Sequence, residues 1–267
     1  MKIGLPAILA AAAFAASSAT VATAATCNAR SGAQSAALVE LYTSEGCDSC
    51  PPADRWLSGL KDKDVKTGRA VPLAMHVDYW DYIGWHDPYA QAQFSARQRE
   101  LSAINKEHTI YTPQILVGGK DFRPGGFSVG GESFDEIVAR TNLRPASADI
   151  GLALTGIGEN ALRFEANAKL RNAADSRDAA LYVAVIENNL SSNVAAGENK
   201  GKTLKHDFVV REWEGPFAFN ADGSLMLSRT VALQSGWKPQ DLGVTAFIQN
   251  RSTGRVLQAL QLAACSN

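Results

Sequence analysis

Two cysteines separated by two residues, followed at once by two prolines, constrain this chain more than any other feature. The segment from Ala37 to Leu60 reads ALVELYTSEGCDSCPPADRWLSGL. Its apolar start, Ala37 to Tyr42, predicts a short buried strand, Thr43 to Gly46 a turn, and Cys47 and Cys50 then stand where a helix begins. Pro51 and Pro52 lack a backbone N–H, so they fit only in a first helical turn, where that donor has no partner anyway. Trp56, Leu57 and Leu60 recur at helical spacing and form the expected buried face.

The chemistry follows from the helix start. Unpaired N–H groups and the positive end of the macrodipole stabilise a thiolate there and lower the cysteine pKa from its free value of roughly 8.5. Cys47 is the expected attacker, and Cys50, one turn inside, resolves a mixed disulfide by closing the ring. A Cys-x-x-Cys between a strand and a helix is the thioredoxin-type redox signal. Half of a zinc site and an inert structural disulfide are the rival readings; zinc wants four ligands, and neither a second Cys-x-x-Cys nor a close His pair follows.

Residues 1–25 read as a secretory leader: Lys2 is the charged start, Ile3 to Ala16 the apolar core and Ala22-Thr23-Ala24 the small-residue cleavage site. The expected location is periplasmic or secreted. The apolar run is shorter than the roughly 20 residues a membrane span needs, and no later run is long enough. The chain has 26 Lys and Arg against 27 Asp and Glu, and Lys2 leaves with the leader. That near-neutral balance argues against a nucleic-acid partner. Cys27 and Cys265 bracket the mature chain. In an exported protein an even cysteine count favours pairing, and with Cys47 and Cys50 assigned together, a structural disulfide between Cys27 and Cys265 remains. A lipid on Cys27 is the alternative, which Ala24 and Thr26 fit poorly.

Ala70 to Val77 predicts a second buried strand, which runs into HVDYWDYIGWHDPYA, an aromatic and acidic stretch over residues 76–90. Tyr79 and Trp80 are candidate substrate-binding residues, as a wall beside the thiols; the alternative is that these rings only cover the sheet edge. Two histidines among three aspartates raise a metal site, but no metal or cofactor is expected. Tyr89 to Asn105 predicts a polar amphipathic helix with Phe94, Leu101 and Ile104 inward. Ile110 to Gly119 then predicts a strand opened by Pro113, where a residue without an N–H is tolerated. In a thioredoxin-like fold this slot holds a cis-proline facing the cysteines, and the backbone at Thr112 and Pro113 binds substrate. Gly118-Gly119 predicts a hairpin turn and Glu132 to Asn142 a closing helix.

Thr43 to Asp54 (TSEGCDSCPPAD), His76 to Trp85 (HVDYWDYIGW) and Tyr111 to Gln114 (YTPQ) resemble an exported, thioredoxin-like bacterial family of undefined function, domain-of-unknown-function family 1223. The resemblance covers most of the mature chain and implies a thioredoxin fold, a redox cysteine pair and a Gram-negative, periplasmic setting. It supplies no substrate. The chain differs from general thioredoxins in carrying Asp48-Ser49 between its cysteines, where Gly-Pro is common, and in lacking a Trp just before the motif. A carboxylate at Asp48, with Glu45 close by in sequence, opposes the helix N-terminus, so the expected couple is a reductant or isomerase-like one.

After Arg144-Pro145-Ala146-Ser147 the pattern becomes about seven short strands separated by turn signals: 149–155, 161–171, 179–187, 203–213, 224–233, 242–249 and 255–263. The expected fold is an α/β thioredoxin-like domain (26–145) followed by an all-β sandwich domain (146–267). The polar run from Gly197 to Arg211 is expected to be a solvated loop, with reach across to the thiols as the alternative, and His206 to be structural. The expected activity is periplasmic thiol–disulfide exchange on protein or small thiol and disulfide substrates, fed by an unidentified electron donor or acceptor. A copper(I) metallochaperone is the alternative from another class, because soft thiolates select that ion, and a redox-inactive binding module is a third.

Overall fold

A computed structural model describes Met1 and residues 27–123, 132–157 and 160–265. Met1 apart, the leader expected over residues 1–25 lies outside the described residues, as does Thr26. In chain order the first half forms β1 (Cys27–Arg30), β2 (Ala37–Thr43), α1 (Pro51–Ser58), β3 (Ala70–His76), α2 (Ala92–Ile104), β4 (Gln114–Val117), β5 (Lys120–Phe122) and α3 (Phe134–Asn142). The second half forms β6 (Ala148–Ile157), β7 (Ala161–Leu170), β8 (Ala179–Glu187), β9 (Leu190–Asn193), β10 (Thr203–His206), β11 (Val209–Ala218), β12 (Ser224–Ala232), β13 (Leu242–Asn250) and β14 (Val256–Ala263).

Every residue of β2 and β3 is buried, the burial of strands covered on both faces. They pair in parallel with Thr43 opposite His76, and β4 returns antiparallel with Gln114 opposite Tyr42. The β4–β5 hairpin turns on Gly118 and Gly119, both at positive φ, a conformation that glycine adopts without a side-chain clash. A Cβ on Gly119 would also fall 2.2 Å from the carbonyl oxygen of Gly254 in the β13–β14 turn.

One eight-stranded sheet takes in both halves, in the order β14-β13-β8-β11-β3-β2-β4-β5. The boundary read at residue 145 therefore divides the chain without dividing the sheet. Its seam is narrow: β11 meets β3 at one register pair, Val209 opposite Ala74, before following β8. A second sheet, β1-β6-β7-β12, packs on the other end of the first. Side-chain alternation decides that packing. In β7 every second residue from Leu162 to Leu170 is buried and those between are exposed. All nine residues of β8 are buried because the two faces serve different cores: Leu181, Val183 and Val185 meet the four-stranded sheet, while Tyr182, Ala184 and Ile186 join the core around β2 and β3.

Two expectations are corrected. The strand read as 203–213 is two strands, broken where Phe208 adopts a positive φ of 59°. Its first part, β10, pairs with β9, a short polar strand that sequence reading passed over, and its second part enters the large sheet. Also, β1 joins the second sheet, Cys27 lying opposite Leu154, although its sequence precedes the first. Cys27 is disulfide-bonded to Cys265 across 238 positions. At the seam Arg97 of α2 is buried, with Nε 2.7 Å from Glu40 Oε1 and a second guanidinium nitrogen, Nη2, 3.1 Å from Gln249 Oε1. Its guanidinium carbon lies about 5 Å from the rings of Tyr182, Trp213 and Phe247.

Arg97→Met is expected to lower unfolding stability by about 3–5 kcal/mol, because it leaves the Glu40 carboxylate buried without its cation, and Glu40→Gln in the same chain to recover part of that loss in urea titrations. Cys27→Ser with Cys265→Ser is expected to cost about 5–6 kcal/mol on the chain-entropy account, read from the same midpoint shift.

Candidate functional site

β2 delivers the chain through Ser44, Glu45 and Gly46 to Cys47, and Cys50 is the residue at the N-cap of α1. Pro51 and Pro52 occupy the first two helical positions, and the amides of Ala53 and Asp54 donate to Cys50 O at 2.9 and 3.1 Å. Cys47 and Cys50 form a disulfide. Both are buried, at 1% and 0% exposure, while Asp48 and Ser49 between them are exposed.

The register of β4 sets Pro113 beside the same strand end. Gln114 faces Tyr42, so Thr112 and Pro113 lie alongside the chain as it leaves β2 for the cysteines. The Thr112–Pro113 bond is cis. Trp80, in a 3-10 segment from Asp78 to Ile83, connects the two places: its Nε1 donates to Thr112 Oγ1 at 2.6 Å, and its Cβ lies 3.4 Å from where a Cβ on Gly46 would stand. Tyr82 stacks on Trp80 with centroids 6.5 Å apart and is 82% exposed. Tyr79 instead points to α2, its hydroxyl donating to Gln98 Oε1. Of the two rings read as a wall beside the thiols, Trp80 lies against the cysteine loop at Gly46, and Tyr79 is held by Gln98 and Thr112.

Beneath the loop is a buried polar cluster. His76 Nδ1 lies 2.7 Å from Asp87 Oδ2, which also accepts the Glu45 amide at 2.8 Å. The Glu45 carboxylate accepts Trp85 Nε1 at 2.8 Å and lies 3.1 Å from His206 Nε2. The His76 and His206 rings meet edge to face with centroids 5.0 Å apart. Asp54, in α1, accepts the Thr43 hydroxyl on one oxygen. Its other oxygen, His76 Nε2 and His206 Nδ1 are buried with no protein partner. A pocket of about 210 Å³, lined among others by Asp54, Leu204 and His206, opens between α1 and β10. Among the described residues, no group of three His, Cys, Asp or Glu is arranged to hold a metal ion.

Burial pushes the Asp54 carboxyl above the ordinary carboxylate range. Burial alone would lower the His76 imidazole, but the Asp87 carboxylate against it wins and holds it above its usual 6.5. Burial likewise opposes the Asp87 charge, yet His76 and the Glu45 and Tyr89 amides hold its carboxyl below the usual range.

Several sequence readings change here. His206, read as structural, lies close to the cysteines: it hydrogen-bonds Glu45, two residues before Cys47. Glu45 lies in this buried cluster, paired, instead of facing the helix start as its sequence position suggested. Residues 197–202, read as part of a solvated loop with reach to the thiols as the alternative, are in the tip of the β9–β10 ribbon and reach the cysteines: Asn199, 0% exposed, donates from Nδ2 to Glu45 O and Cys47 O at 2.9 and 2.8 Å. Asp54 carried a signal that was passed over, since it stands three residues before Leu57 on the buried helix face. Asn199 carried none.

The His76–Asp87 pair gives stability a sign with pH. The raised His76 contributes fully below pH ~6.5 and is lost as pH climbs through its folded value; the lowered Asp87 contributes above pH ~4 and is lost in acid. Urea midpoints are expected to peak between these limits and to fall toward pH 9, with the alkaline slope flattened in His76→Gln.

No curated protein matches the chain at a significant level. Among solved structures, a protein of Agrobacterium tumefaciens is similar at 24% identity, covering 88% of this chain and 98% of that one with a TM-score of 0.59. HBP35 of Porphyromonas gingivalis is similar at 18% identity, covering 88% of this chain and 76% of that one with a TM-score of 0.65. At these identities the likenesses speak to fold alone. The family described as "Protein of unknown function (DUF1223)" matches residues 38–249, from within β2 to within β13. The match spans the cysteine loop, the aromatic segment, Pro113, the Asn199 contact and the sheet that joins them, and the chain is therefore a member of the DUF1223 family.

Proposed function

We propose that this chain is an exported thiol–disulfide oxidoreductase whose first half acts as a thioredoxin-like redox unit. The observation that carries the reading is the Cys47–Cys50 disulfide at the start of α1, with the chain before Pro113 running beside the same strand end. With the pair reduced, the Cys47 thiolate attacks one sulfur of a client disulfide, forms a mixed disulfide and releases the other client sulfur as a thiolate. Cys50, as its thiolate, then attacks Cys47 Sγ, closes the internal disulfide and releases the second client sulfur. Two electrons pass to the client, and a dithiol donor must return them for the next cycle.

The remaining residues support binding. The backbone of Thr112 and Pro113 pairs with an extended client segment, and Trp80 and Tyr82 offer ring faces beside it. Periplasmic clients fit the leader-like sequence of residues 1–25 and the second disulfide, which belong to an oxidising compartment. Among the described residues no helix is long and apolar enough to cross a membrane. Exposed Asp48 beside Cys47 favours the reductant or isomerase direction, since a less stable thiolate makes a less oxidising couple.

Wild-type protein is expected to accelerate insulin reduction by dithiothreitol, Cys47→Ser to abolish it, and Cys50→Ala to accumulate mixed disulfides in cells. The potential is expected well below the roughly −120 mV of a strong periplasmic oxidant. Absent exchange with tight, cysteine-dependent copper(I) uptake would replace this function with that of a metallochaperone, and absence of both would leave a binding module.

A further inference from the structure

The tip of the β9–β10 ribbon bonds to the cysteine loop at three points. Two come from the buried Asn199 carboxamide on Glu45 O and Cys47 O. The third is Glu198, whose Oε2 accepts the Asp48 amide at 3.0 Å. The tip is seated on the aromatic segment: a Cβ on Gly197 (φ 72°) would stand 3.0 Å from Ile83 Cδ1 and 3.4 Å from Trp85 Cβ. The Asp48 amide belongs to the peptide that immediately follows Cys47, three residues before α1 begins. Glu198 occupies that donor and brings a formal negative charge to the peptide next to the sulfur.

We propose that Glu198, held in register by Asn199, is a positioning residue that sets how readily Cys47 ionises. The inference deepens the exchange reading and rests on it for its biological sense, but the property it concerns belongs to Cys47 itself. A carboxylate on the Asp48 amide repels negative charge developing on the neighbouring sulfur, which disfavours the thiolate. The surrounding charges are Asp48 on the same turn, Glu45 and Asp54 in the buried cluster, Lys202, whose Nζ lies 2.8 Å from Asn199 Oδ1, and exposed Lys200. Glu45 is paired with His206 and Trp85, and Lys202 is held on the far atom of the carboxamide, so Glu198 is the acid that the second half of the chain bonds to the cysteine turn. The second half of the chain thereby acts on the chemistry of the first: it holds the couple toward the reducing side.

Glu198→Gln keeps an oxygen able to accept the Asp48 amide and removes only the charge. In the reduced protein the ultraviolet thiolate titration of Cys47 is expected to move to lower pH, by about two- to fivefold in acid constant, the range for one charge at a helix end. On the alkaline side of that titration, two glutathione molecules reducing the internal disulfide to the dithiol, with release of oxidised glutathione, are expected to be favoured by the same factor. Glu165→Gln removes the same charge from an exposed site on β7 and is expected to leave both readings unchanged. Asn199→Ala, with folding checked by urea midpoint, is expected to shift the titration in the same direction as Glu198→Gln. A Glu198→Gln titration that coincides with wild type or with Glu165→Gln overturns the proposal. If it shifts while insulin reduction is absent, the oxidoreductase reading falls and Glu198 keeps its role; if reduction is cysteine-dependent and the titration is silent, the reverse holds.

Discussion

The buried pairing of Arg97 with Glu40 is the interaction on which the joining of the two halves depends. A carboxylate in the middle of β2 and a guanidinium on α2 are each costly to remove from water, and neither would be tolerated alone in this core. Three ring faces from β8, β11 and β13 and the amide of Gln249 close around the cation. The first half supplies the ion pair and the second supplies its enclosure. Since β11 meets β3 at a single register pair, this polar knot and the apolar residues shared by β8 carry much of what a longer ladder would otherwise provide.

That union has a chemical consequence at the cysteines. β10 runs against α1, so His206 is brought beneath the cysteine loop and the ribbon tip above it. Glu45 is drawn inward by His206 and Trp85, and the chain on either side of Gly46 is held through its carbonyls by Asn199. A loop fixed at so many points on two elements of distant sequence has little freedom to drift. A preorganised loop of this kind suits a reaction that needs sulfur, amide donors and client backbone in one line. It also explains why the pair is buried while Asp48 and Ser49 remain at the surface.

The buried acids and imidazoles divide by partner. His76 and Asp87 pair with each other, and each is shifted toward its charged form. Asp54 has a hydroxyl donor and no cation within hydrogen-bonding distance, so desolvation prevails and its carboxyl is pushed up. Opposite shifts in two aspartates of one cluster follow from that single difference in company.

How much of this was legible beforehand depends on the range of the interaction. The strand leading to Cys47, the proline-opened α1, the Gly118-Gly119 turn and the alternation of β7 are local patterns, and each appears in the fold near where periodicity and turn chemistry indicate. The pairing of Cys27 with Cys265 was reachable as well, because counting four cysteines needs no geometry. Arg97, Gln98 and Asp54 are not singled out by sequence, because a charged or polar residue on a helix face reads as solvent-facing unless its partner is known. Those partners lie well away in sequence, as Glu40 does from Arg97. By itself, then, the sequence determined the local elements, the pairing of the four cysteines and the cores each strand could serve. The single sheet across both halves, the burial of Glu45 and His206 and the arrival of Glu198 and Asn199 at the thiol loop were decided by tertiary structure, since desolvation and long-range hydrogen bonds exist only once remote segments share a surface.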